Sequence, residues 1–149
     1  MTADLRASIQ DGVHRHDLRV YYEDTDAGGV VYHANYLRFA ERARTEALRA
    51  LGVPHADMAR EHGLIFMVRR GKLDYLAPAR LDDAIHVATE VIALRGAVVR
   101  LRQTVWRDAR RLVVAEIELA CLRAMDQRPQ RIPPRWRDAL QAMSDAISP

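Results

Sequence analysis

The stretch DTDAGGVVYHANY, residues 24–36, leads directly into a long helical pattern, and this junction decides the fold. Gly28 and Gly29 interrupt any regular element before the helix, because paired glycines permit backbone conformations that other residues avoid. From Asn35 to Leu51 apolar residues recur every three or four positions, as on one face of a helix. They are Tyr36, Phe39, Ala40, Ala43, Ala47, Ala50 and Leu51. Because most are alanine, a flat neighbour can approach closely, and we expect the helix to lie against a sheet.

Strands follow this helix. Asn35 is its expected N-cap, Gly52 its end, and Pro54–His62 a second short helix. Alternation of apolar and polar residues then predicts four strands. These strands are Ile65–Tyr75, Ala84–Leu94, Val98–Trp106 and Leu112–Leu122. The breaks after the second and third are short enough for antiparallel hairpins. A fifth strand, Leu18–Tyr22, is predicted before the junction.

These elements predict an α+β fold in which an antiparallel sheet wraps around one long central helix. We expect a loose polar leader over residues 1–17, one domain over 18–125, and a solvated tail over 126–149 with a short helix, Trp136–Ile147. A sheet covered by one helix leaves its edges exposed. Pairing across a two-fold axis would cover an edge, so the plan favours at least a dimer.

Composition excludes several classes of protein. The 149 residues are 49% hydrophobic and 29% charged, which is typical of one globular domain. A net charge of +3 is too mild to indicate nucleic-acid binding. The single cysteine, Cys121, excludes an internal disulfide and a cysteine zinc cluster, and its strand position predicts buried packing. The six histidines show no metal-ligand spacing, so no metal is expected.

No apolar run is long enough for an export signal or a membrane span, and Leu64–Val68 is typical of those present. The sequence therefore predicts a cytoplasmic protein. Of its 23 basic residues only Lys72 is a lysine. Arg100 and Arg102 share one strand face, which is either a solvated or interface surface or a place to hold phosphate.

The chemically dense part of the chain is the junction itself. Glu23, Asp24 and Asp26 place three carboxylates within four residues, where they repel one another. The start of the helix supplies unpaired N–H groups and a partial positive charge. Asp26, those N–H groups and His33 would suffice to polarise a carbonyl while a carboxylate attacks it or activates water. Spacing alone leaves another reading open, in which Asp24 and Asp26 are turn or cap residues and His33 is merely polar.

Residues 24–36 closely resemble the signature of the YbgC-type acyl-CoA thioesterases, in the 4-hydroxybenzoyl-CoA thioesterase branch of the hotdog fold. The likeness continues through Glu41–Glu46, resumes at Tyr75–Asp83, and is weak at Arg95-Gly96. It covers roughly residues 18–125. Genes of this family often lie beside the Tol–Pal envelope system.

The resemblance implies hydrolysis of an acyl-CoA thioester without metal or cofactor. It assigns Asp26 as nucleophile or general base and His33 as the second catalytic residue, whose backbone N–H polarises the carbonyl. Tyr32 and Asn35 are then expected to bind substrate, and Arg100 and Arg102 to meet the CoA phosphates at the rim. A homodimer or homotetramer follows, with the site between subunits.

Two further readings stay open. One is a non-catalytic hotdog protein that binds acyl carrier protein or envelope-linked (Tol–Pal) partners, against which the intact acidic motif counts. The other is a dehydratase acting on acyl carrier protein substrates, whose His-Phe-Pro signature this sequence lacks.

Overall fold

The computed structural model describes residues 5–147 of the chain. Within them lie three α-helices and six strands. The helices are α1 (Asn35–Ala50), α2 (His55–His62) and α3 (Pro134–Ile147). The strands are β1 (Ile9–Gln10), β2 (Val13–Arg19), β3 (Leu64–Tyr75), β4 (Ala84–Arg95), β5 (Val98–Arg107) and β6 (Arg110–Arg123). The strands form one antiparallel sheet in the order β1-β2-β4-β5-β6-β3.

The central helix α1 lies on the inner face of this sheet, as predicted. Its alanine stripe is buried, with Ala43 fully inaccessible and Ala40, Ala47 and Ala50 at most 5% exposed. Small side chains let the helix axis approach the sheet, and the larger Phe39 fills the space toward its start. The alternation that predicted β4 corresponds to its burial, because Ile85, Val87, Thr89 and Val91 are all buried. The α+β hotdog architecture is therefore confirmed.

The first long strand begins earlier than predicted. It is Val13–Arg19 rather than Leu18–Tyr22, and it pairs with β4 from His14 opposite Thr89 to Arg19 opposite Ala84. The expectation that residues 13–17 belong to a loose leader is therefore wrong, while residues 1–4 lie outside the described part. The pattern was hidden because the inward position is held by a histidine: His14 is 2% exposed.

The prediction of a solvated tail is wrong for helix α3, which is partly buried. Helix α3 begins at Pro134, two residues before the predicted Trp136, and packs onto the core beyond the end of α1. Trp136 is fully buried, and its indole N–H donates to the carbonyl of Val53 at 2.9 Å. Leu140 and Met143 are buried beside it. The proline-rich, arginine-rich segment before α3 concealed this apolar face.

Helix α1 also differs at its first residue. Ala34 is the N-cap, and Asn35, predicted to cap the helix, is its first helical residue. The side chain of Asn35 instead donates to the carbonyl of Asp24 at 2.9 Å, which ties the preceding loop to the helix. Across residues 5–147, none of the helices is long and apolar enough to span a membrane.

Candidate active site

The acidic loop before α1 is a sequence of tight turns. Residues Tyr22–Asp24 form a 3₁₀ turn. The Asp24 carboxylate accepts a hydrogen bond from the N–H of Tyr21 at 2.8 Å, and the Thr25 hydroxyl donates to the carbonyl of Tyr22 at 2.8 Å. The reading of Asp24 as a turn residue is therefore confirmed.

Asp26 is also part of a turn, but one oxygen of its carboxylate is still free to accept a hydrogen bond. Its Oδ1 accepts the backbone N–H of Gly28 at 2.8 Å. The residue is exposed, and within the described part of the chain its second carboxylate oxygen has no protein donor. A carboxylate fixed through one oxygen and open through the other can act as a nucleophile or a general base.

The start of α1 presents unpaired backbone donors near this loop. The N–H of Tyr32 donates to Asp24 (3.0 Å), and that of Asn35 to Tyr32 (2.9 Å). Between them, the N–H groups of His33 and Ala34 donate to no other group among residues 5–147. Unpaired N–H groups at a helix N-terminus stabilise negative charge, so this turn can hold an oxyanion.

A cleft of about 300 Å³ opens beside this turn. It is lined by Val31, His33, Tyr36, Tyr75, Leu76, Ala77 and Pro78. The Tyr75 hydroxyl donates to the carbonyl of His33 at 3.3 Å, and the Tyr36 oxygen accepts the N–H of Ala79 at 3.1 Å. Burial raises the pKa of Tyr36, although the Ala79 bond opposes the shift, so the phenol stays neutral.

Tyr36 and Tyr75 were not singled out as site residues from the sequence. The sequence predicted Tyr36 only as a residue on the apolar face of the helix and Tyr75 only as the last residue of a strand. The signal for Tyr75 was its place before Ala77-Pro78-Ala79, a break that leaves a large aromatic side chain at the sheet rim, 51% exposed. Tyr32 is exposed too, with its ring centroid 4.4 Å from that of His33.

The structure brings the predicted site residues together only in part. Asp26, Tyr32, His33 and Asn35 lie on one loop and helix start. In the described residues, however, no hydrogen bond or ion pair joins the side chains of Asp26 and His33. His33 lines the cleft and Asp26 does not.

Arg100 and Arg102 lie elsewhere, on the outer face of β5. On the other face of that strand, Val99, Leu101 and Gln103 are buried beneath the helices. Arg102 is 3.7 Å from Glu116, and Arg100 is paired with Glu118 in the strand register. Neither arginine lines the cleft at His33, and their binding of phosphate stays a prediction.

The cysteine and one of the histidines are buried inside the protein. Cys121 is fully buried, and burial raises the pKa of its thiol to about 11, so it is not an activated nucleophile. The packing interpretation of Cys121 is confirmed. Burial likewise lowers the pKa of His14 to about 4, with the nearby His16 acting in the same direction.

Comparison with known proteins identifies relatives of this chain. The thioesterase-like superfamily matches residues 20–140. The acyl-CoA thioesterase YbgC of Haemophilus influenzae is 45% identical over 116 residues, which are 78% of this chain and 85% of that protein. The chain belongs to the YbgC family of thioesterases. The acyl-CoA thioester hydrolase YbgC of Escherichia coli O157:H7 is 42% identical over 80% of this chain and 89% of its own length.

Solved structures of the family have the same fold. A probable thioesterase from Bartonella henselae superimposes with a TM-score of 0.77 at 36% identity, over 81% of this chain and 99% of that one. Family membership makes the chain a hydrolase of the thioesterase type. The superfamily match includes the acidic loop, α1 and strands β3 to β6, but it begins after β2 and ends inside α3.

Proposed function

We propose that this protein hydrolyses acyl-CoA to a free acid and CoA, with the reaction at the junction between the acidic loop and α1. The observation that carries the proposal is that two groups on this junction are free to contact a substrate. One is the exposed carboxylate of Asp26, which accepts the N–H of Gly28. The other is the backbone N–H of His33, which has no acceptor among the described residues. The names of the YbgC relatives support the acyl-CoA substrate.

In this mechanism the thioester carbonyl oxygen lies against the N–H of His33. Charge that develops on this oxygen is stabilised by that donor and by the partial positive charge of the helix start. Loss of one such donor typically lowers turnover about 10²–10³-fold.

Asp26 then acts in one of two ways. As a nucleophile, its oxygen bonds to the acyl carbon, the C–S bond breaks, CoA leaves as the thiolate, and water hydrolyses the mixed anhydride. As a general base, it removes a proton from water, which attacks the acyl carbon directly. In both routes the imidazole of His33 orients water or supplies the proton to the departing thiolate.

A homodimer formed through β3 would complete this site. The sheet has two edges, of which β1 has two residues and β3 has twelve. A long edge strand offers unpaired backbone groups to a second copy. Pairing β3 with itself about its midpoint places Leu64 opposite Tyr75 of the partner subunit. The cleft at His33 then adjoins the Phe66 end of the neighbouring chain.

Release of thiol from a panel of acyl-CoAs and matched acyl carrier protein thioesters tests the proposal. We expect turnover on at least one CoA substrate, reduced in His33→Ala. Full activity in His33→Ala would restrict the role of His33 to its backbone. No turnover on any substrate would contradict the proposal and favour a binding protein for acyl carrier protein.

A further inference from the structure

Two neighbouring cavities lie at the end of α1 that is remote from the acidic loop. A groove of about 570 Å³ runs between α1, α2 and the start of β3. Behind it, a cavity of about 30 Å³ lies between α1, the sheet and α3. The groove has the size of a ligand pocket, roughly 300–1,000 Å³. The inner cavity is far smaller than the cavity of about 150 Å³ that holds benzene.

Four residues border both spaces: Arg44, His55, Phe66 and Leu119. Two of them are fixed by other parts of the core. Leu119 is buried in the sheet, and Arg44 donates to Gln103 at 3.1 Å. His55 contacts the Phe66 ring edge-on, at 6.3 Å between centroids. Of the two apolar residues on the boundary, Leu119 is 6% exposed, whereas Phe66 is only partly buried.

The lining of the groove is suited to an aliphatic chain. On the side of α2 and β3 it is formed by small and aliphatic residues. They are Ala56, Ala59, Leu64, Ile65, Met67 and Val68. Polar residues, among them Glu41 and Thr45, occur along α1. Apolar walls with a few polar groups are typical of small-molecule sites.

We propose that Phe66 sets the length of the acyl chain that this enzyme accepts, by closing the groove against the small cavity behind it. The inference rests on the proposed function and on the β3 pairing, which brings the His33 cleft of the partner subunit to this end of the groove. An acyl chain that enters from that cleft ends against the Phe66 ring.

Helix α3 forms the floor beyond Phe66. Leu140 and Met143, both buried, line the small cavity from α3. Met143 lies beyond residue 140, where the superfamily match ends. The space behind Phe66 is therefore partly enclosed by a segment outside that match. Shortening Phe66 joins this space to the groove and deepens it toward Met143.

The test compares kcat/KM over straight-chain acyl-CoAs from acetyl to hexadecanoyl for wild type, Phe66→Ala and Phe66→Leu. Met125→Ala is the matched control, because Met125 is 90% exposed and lines neither space. We expect wild type and the control to share one optimum. Phe66→Ala should move that optimum to longer chains, with about tenfold gains on substrates just beyond the wild-type limit. Phe66→Leu should fall between them.

The possible failures are distinguishable. An unchanged chain-length profile in folded Phe66→Ala, with wild-type turnover on the best substrate, would overturn the role of Phe66 and leave the thioesterase activity intact. If Phe66→Ala does not fold, the same shift is expected in Phe66→Val, and its absence there overturns the proposal. Lack of turnover by wild type on every acyl-CoA would overturn the proposed function, and this inference with it.

Discussion

The backbone N–H of Gly28 lies 2.8 Å from Oδ1 of Asp26 and fixes the carboxylate on which the proposed chemistry depends. A Cβ added at Gly28 would lie 3.2 Å from that same oxygen, which is tighter than ordinary contact. The neighbouring Gly29 differs: it has a φ of +79° and open space around it. The two glycines therefore have different roles. Gly28 positions the carboxylate of Asp26, and Gly29 allows the backbone to turn.

Alanine at each glycine should separate these roles. In Gly28→Ala the carboxylate must shift by a few tenths of an ångström, so we expect lower kcat with little change in Tm. In Gly29→Ala the left-handed backbone is strained by about 1–2 kcal/mol, so Tm should fall while kcat of the folded protein changes less. Thermal melts and steady-state kinetics on both variants measure this. Equal effects on kcat would contradict the assignment.

Stability should decrease as the solution is acidified, because His14 is buried, with a second histidine, His16, nearby. Its Nδ1 has no hydrogen-bond partner, and its pKa is lowered from 6.5 to about 4. Between these values the unfolded chain binds more protons than the folded one, so stability is lost as pH falls from 6.5 toward 4. His14 accounts for about 3 kcal/mol of this loss.

Urea unfolding at pH 7 and pH 4.5 checks the contribution of His14, with His14→Gln as the comparison. The variant should lose less stability between the two pH values than wild type does. Burial also lowers the pKa of His55 and His86, so some acid sensitivity remains in the variant. An identical loss in both proteins would rule out His14 as a main cause.

Cys121 should be unreactive in the native protein. Its thiol is buried and its pKa is raised to about 11. At pH 8 the sulfur is therefore inaccessible to reagents and stays protonated. Maleimide labelling followed by mass spectrometry should show one adduct in denaturant and none in native buffer. Rapid native labelling would contradict the packing role.

The tail should be required for stability. Trp136→Ala removes a fully buried ring and its bond to Val53, so we expect a loss of about 3–5 kcal/mol. Asp138→Asn, in the same helix but with a side chain 78% exposed, is the control. Denaturant unfolding compares the two variants, and equal midpoints would show that α3 does not belong to the core.

The sequence was most informative where local pattern and burial agree. Alternation predicted β4, in which Val87 and Val91 are buried, and the alanines of α1 indicated close packing on a sheet. It failed where a polar residue holds a buried position. His14 interrupts the apolar alternation of strand β2, and the arginines around Trp136 interrupt the apolar pattern of α3, so neither buried face was predicted.

For the candidate site too, the sequence indicated the residues of a local motif but not those that depend on distant contacts. Asp26 and His33 could be proposed from the sequence because their motif is local and chemically dense. Tyr75 was missed as a site residue because its contact with the start of α1 depends on which ends of distant elements meet. Tyr75 is 42 residues from the carbonyl it contacts. Sequence spacing alone carries no record of such a contact.

Thiol release from acyl-CoA by wild type and Asp26→Asn, on the substrate that wild type turns over best, tests the central claim most directly. Asparagine keeps the size of the side chain and its acceptor oxygen for Gly28, but it removes the charge. We predict a folded variant with the wild-type Tm and a kcat reduced by about 10²–10⁴-fold. Undiminished kcat in the folded variant would contradict Asp26 as the catalytic carboxylate.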